Sequence, residues 1–243
     1  MVDSVTSYLR ALILCVAYIM VSSALIRFNK YMMAEDRFPF SMQLSALHMS
    51  MSMSLCYLLY LVKPSFFPGM ESTKGRRAEV LQWFVPIGAA FAAMLYLSNQ
   101  AYLYSNVTFL QFMKEMNPIL TFLLSCAVGL QIMNRVRLAV IIWVVSGSLM
   151  AVTGELHFVM MGFILQGLSQ VAECSRAVLN EWVLSGRDLK LDPLTFTMFM
   201  APFCLMVLLV GNFFTWDSRI PHRAAECWHL LLPNACLAFV LNV

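Results

Sequence analysis

"YLSNQAYLYSNVTFLQFMKEMNP", residues 96–118, decides how this chain folds. Each flank continues an apolar block of membrane-crossing length, while the centre, "YSNVT", has the small polar residues of a tight turn. Two spanning helices joined by so short a turn are antiparallel neighbours. With the turn centred on Asn106, Ser98 of one helix stands opposite Lys114 of the next. A hydroxyl, the Asn99 amide and an ammonium are therefore expected at one depth. Pro118, four residues past Lys114, has no N–H to give to the Lys114 carbonyl, so the backbone ladder is interrupted beside the charge.

The rest of the chain agrees with a membrane setting. Of 243 residues, 60% are hydrophobic and 12% charged, against roughly 25% charged in soluble domains. Charges cluster between apolar blocks of about 17 to 25 residues, the length that crosses ~30 Å of hydrocarbon. The fold class is all-α: a polytopic helical membrane protein. The short alternating segments of a transmembrane barrel are absent. Spans are expected at 8–29, 41–62, 80–103, 108–130, 137–154, 157–183 and 194–214, with an eighth from Trp228. That last block supplies only about 16 residues, ~24 Å at ~1.5 Å per residue, so a longer protein with its C-terminal helices missing is expected.

Lys and Arg counts in the loops set the orientation. One side holds Arg10, Lys63, Lys74, Arg76, Arg77, Arg135, Arg137, Arg187 and Lys190; the other holds Lys30, Arg37, Arg219 and Arg223. The N-terminus is therefore expected in the cytosol. "MVDSVTSYLR" is too short and too poor in basic residues for a transit peptide, which favours the Golgi or another endomembrane over the plastid envelope. The seven cysteines sit mostly in apolar blocks without metal-like spacing and read as packing residues. No His/Asp/Ser constellation is visible, so neither an enzyme, a metal site nor a cofactor is expected. The expected partners are a small anion and the lipid bilayer, without nucleic acid.

A lysine at mid-helix costs about 2.5–3.5 kcal/mol to insert, so it normally faces a cavity or a partner. Lys114 among neutral donors suits a phosphate or another anion. The alternative, neutralisation by Glu115, is geometrically poor, because adjacent helical residues point about 100° apart. Glu115 is left as a charge partner of the site or of a neighbouring helix. Glu173 and Arg176, three apart in "VAECSRAVLN", suit a structural ion pair. Arg27 and Lys30 read as interfacial anchors, and His48 as a packed helix histidine.

These stretches, with "IRFNKYMM", "FPFSMQLSALHM" and "GELHFVMMGFILQGLSQVAECSRAVLNEWVL", resemble the triose-phosphate translocator/nucleotide-sugar transporter family of the drug/metabolite transporter superfamily. The likeness runs along nearly the whole chain and is greatest to plant and algal probable sugar phosphate/phosphate translocators. It implies ten helices in two inverted five-helix repeats, here 1–155 and an incomplete 156–243, with the last two to three helices missing. Lys114 then looks like the fourth-helix lysine that holds the substrate phosphate, and Ser98 like a third-helix hydroxyl, followed by the family's Asn at 99. Leu95 stands where plastid triose-phosphate members have histidine, which weighs against that substrate. The implied function is antiport of a phosphorylated metabolite, a sugar phosphate or nucleotide sugar, for phosphate or a nucleotide monophosphate. A homodimer is compatible with the fold. The alternative is a non-transporting, regulatory or degraded fragment.

Overall fold

The computed structural model describes residues 2–151, 159–186 and 191–243, and among them every regular element is helical. In chain order these are α1 (Val2–Met32), α2 (Ser41–Val62), a 3-10 turn (Pro64–Phe66), α3 (Pro68–Ser72), α4 (Arg77–Tyr104) and α5 (Val107–Lys114). There follow α6 (Asn117–Ala127), α7 (Arg135–Ala151), α8 (Met160–Gly186), α9 (Pro193–Phe214) and α10 (Ile220–Asn242). Among the described residues, α1, α2, α4, α9 and α10 are long and apolar enough to cross a membrane. The 27-residue α8 falls outside that set. Gln166, Ser169, Gln170, Glu173 and Arg176 lower its hydropathy, and a helix carrying such residues turns them towards protein.

Two expectations are corrected. The fourth span is not one helix over 108–130 but two, α5 and α6, parted at Glu115 and Met116. Pro118 is the cause: its missing N–H and its ring prevent the helix from continuing. The chain crosses the gap on tighter bonds, Glu115 N–H to the Phe112 carbonyl (3.1 Å) and Met116 N–H to that of Met113 (3.1 Å). The last span is not a 16-residue stub. It begins at Ile220 and runs 23 residues, ~35 Å at ~1.5 Å per residue; Pro221 in its first turn starts the helix well before the apolar block that the eye finds first. The expected boundary between residues 155 and 156 lies outside the described residues, as do Arg187 and Lys190 of the orientation count.

Helix α4 is the central post, packed along α8 and α9, while α2 lies along α9 and α10, and α1 along α10. The α4–α9 crossing is close because Gly88 has no side chain: a Cβ there would meet Phe203 Cβ at 2.8 Å and Cys204 N at 2.9 Å. Phe84, Phe91, Phe199 and Leu208 fill the core around this crossing. The linker "VKPSFFPGMESTKGRRAEV" is organised rather than loose. Asp192 caps α9 through Thr195 N (2.9 Å), and its other oxygen accepts from Gly69 N of α3 (2.8 Å).

Candidate functional site

The turn at 105–106 is built locally. The Asn106 side chain accepts from Phe109 N (2.8 Å) and starts α5. Lys30, at the end of α1, donates to the Tyr102 carbonyl and to the Ser105 carbonyl (2.9 Å), meeting the orphan acceptors at the end of α4. Lys30 thus does more than anchor α1 at the interface, because it fixes where α4 stops and α5 begins.

Between these helices lies a cavity of about 370 Å³. Ser98 and Asn99 of α4, Lys114 of α5, and Glu173 with Arg176 of α8 all line it. The expected convergence of hydroxyl, amide and ammonium is therefore present. Glu115 is not part of it. It is exposed and lines a separate, apolar pocket between α5–α6, α7 and α8. Adjacent helical side chains diverge by about 100°, so their adjacency in sequence does not pair them within the site.

Glu173 and Arg176 share the cavity but form no ion pair with each other among the described residues. The Glu173 carboxylate accepts from Asn117 Nδ2 (3.2 Å), the first residue after the break. The Arg176 guanidinium lies over the Phe91 ring, 4.8 Å from its centroid, and its Nε is buried with no hydrogen-bond partner. Among the described residues, the charged side chains on the wall are Lys114, Arg176 and Glu173: two cations and one carboxylate, leaving one net positive charge. In surroundings of low dielectric that excess favours an anionic guest.

Sequence reasoning missed the polar chain behind the cavity. Asn99, 3% exposed, donates to Ser45 Oγ (2.9 Å) and accepts from Asn29 Nδ2 (3.4 Å). Asn29 Oδ1 in turn accepts from Asn234 Nδ2 (2.9 Å), and Asn234 Oδ1 meets His48 Nε2. The chain ties α1, α2, α4 and α10 together, with Asn29 on the cavity wall. His48 is, as expected, a partnered packing histidine. Asn99 is held at both ends, so it shapes the wall; Ser98 shares a hydrogen bond with Tyr102, and Lys114 is the less committed group. The signal lay in "IRFNKY" and "LPNAC": an amide within a spanning segment needs a buried partner.

A bundle of helices long and apolar enough to cross a membrane, enclosing a cavity with a net positive lining, has the architecture of a membrane transporter. Residues 9–236 match the Triose-phosphate Transporter family, and the chain belongs to that family. It is therefore a membrane transport protein and not an enzyme. One probable sugar phosphate/phosphate translocator of Arabidopsis thaliana is 34% identical over 233 residues, covering 93% of this chain and 68% of that relative. Another is 32% identical over 255 residues, covering 100% of this chain and 73% of the relative. UDP-galactose transporter 1 of the same plant is 27% identical over 223 residues, covering 88% and 64%.

Proposed function

We propose that the chain carries a phosphorylated sugar across an endomembrane in exchange for phosphate, with Lys114 as the group that neutralises the phosphate. The single observation that carries this reading is the presence of Lys114, Arg176 and Ser98 on one cavity with an excess of positive charge. Ser98 donates to a phosphate oxygen, and Arg176, unpaired at Nε, supplies a second cation. Asn99 sets the shape of the wall. Glu173, held by Asn117, balances the charge when the guest has left.

A volume of about 370 Å³ lies near the lower end of the ~300–1,000 Å³ range of small-molecule sites. That favours a sugar phosphate over the larger nucleotide sugar. Two inverted repeats, 1–155 and 156 onward, rock about this site, with the N-terminus in the cytosol and the Golgi as the preferred membrane. Exchange is measured in proteoliposomes loaded with phosphate and offered labelled sugar phosphates or nucleotide sugars. Phosphate-dependent uptake that disappears in Lys114→Ala supports the reading. Uptake that persists in that variant, or that occurs with nucleotide sugars alone, refutes it.

A further inference from the structure

The second pocket, of about 560 Å³, is a site of another kind. Its walls are Phe112, Met116 and Leu120 from α5–α6, Val145 from α7, and Phe163 and Val171 from α8. Among the described residues, two polar side chains reach it, Glu115 and Gln170. Gln170 is 3% exposed, and its Nε2 has no hydrogen-bond partner among the described residues. A buried amide donor left unpaired costs about 1–3 kcal/mol, so an acceptor supplied from outside the chain is favoured. Gly167 opens the wall beside it: a Cβ there would meet nothing within 4 Å.

We propose that this pocket binds a membrane sterol, whose hydroxyl accepts from Gln170 Nε2 while its rings fill the space between Phe112, Met116 and Phe163. Depth selects the ligand class. With the 105–106 turn at the membrane surface, Glu115, eight residues past Val107, stands ~12 Å along the span, within the hydrocarbon region. A charged headgroup drawn to that depth is costly, and among the described residues no Lys or Arg lines this pocket to receive a phosphate. One hydroxyl on a rigid apolar body costs little to bury and loses less conformational freedom than an acyl chain filling the same volume. The pocket abuts the α5–α6 break on the side away from Lys114. A sterol seated there would brace the segment that positions the lysine.

The test uses the 243-residue chain in nanodiscs with a photoactivatable sterol bearing its diazirine on the rings, and adducts mapped by peptide mass spectrometry. Adducts on Met116, Leu120 or Phe163 that unlabelled sterol competes away are expected. Gly167→Leu, which fills the open space, should abolish them. Gln170→Leu, which removes the donor, should weaken labelling about tenfold, the equivalent of one hydrogen bond. Undiminished labelling in Gly167→Leu overturns the proposal. So does labelling of the same residues by a diacyl phospholipid photoprobe that sterol cannot displace. Should Gly167→Leu fail to fold, Val171→Trp blocks the pocket from an exposed position and decides the same question.

Discussion

Lys114 and Glu115 are neighbours in sequence and face different cavities. The lysine lines the polar cavity between α1, α4 and α8, and the glutamate lines the apolar pocket against α7. Adjacent helical positions point about 100° apart, and Glu115 keeps helical dihedrals (φ −63°, ψ −14°) at the end of α5, so the two side chains diverge. The pair therefore has separable effects. Lys114→Ala should weaken phosphate binding by about 10- to 100-fold, the value of one charge-assisted contact. Glu115→Gln should leave it within about twofold. Phosphate titration by isothermal calorimetry in detergent measures both, and equal losses in the two variants would mean that the glutamate takes part in the anion site.

Gly88 and Gly167 make opposite predictions from the same substitution. At Gly88 a methyl group would run into Phe203 and the Cys204 backbone, so α4 and α9 must separate. Overpacking of this kind costs about 1–3 kcal/mol. At Gly167 the methyl group enters open space, and alanine is the better helix former by about 1 kcal/mol. Thermal unfolding in detergent should therefore show a lowered midpoint for Gly88→Ala and an unchanged or raised one for Gly167→Ala.

The fold class was legible because membrane burial imposes a length and a composition that few other settings demand, and blocks such as 41–62 show both. Ser98, Asn99 and Lys114 were legible as a group because a short turn converts sequence separation into depth. The break of the fourth span was half legible: Pro118 announced a lost hydrogen bond, but a proline can kink a spanning helix as readily as end it. The partners of Glu173 were not legible. Spacing placed Arg176 within reach on the same helix, yet Asn117 arrives from across the bundle, and tertiary contacts carry no local signal. The chain from His48 to Asn99 was hidden for the same reason, as bonded members are as much as 205 residues apart.

That chain predicts a coupled loss. Asn234→Leu leaves His48 Nε2 and Asn29 Oδ1 without their partner at a site where Asn234 is 0% exposed. Each stranded group costs about 1–3 kcal/mol. Asn29 is also freed to turn away from Asn99, so the cavity wall loosens. A lowered unfolding midpoint together with weaker phosphate binding is expected. Asn234→His, which can still bond to one neighbour, should recover part of both. Loss of stability with phosphate affinity intact would show that the chain only holds helices together.

Asp192 gives the structure an acid-sensitive tie. Burial alone would raise its pKa, but the hydrogen bonds from Thr195 N, Thr195 Oγ1 and Gly69 N outweigh burial and hold the carboxyl below its ordinary value of 3.8. A carboxylate with a depressed folded pKa contributes stability in full above its unfolded pKa and loses it as the pH falls through the folded one. The α3–α9 contact should therefore be constant from neutral pH down to about pH 5 and weaken progressively below about pH 4. Asp192→Asn retains an acceptor for α9 but gives up the charge, so its unfolding midpoint should lie below that of the parent chain at pH 7. The gap should narrow as the pH approaches 3. Thermal unfolding of both proteins across that range, by intrinsic fluorescence in detergent, measures the difference; a gap of constant size would mean that the ionisation of Asp192 contributes nothing to the joint between the linker and the second half of the bundle.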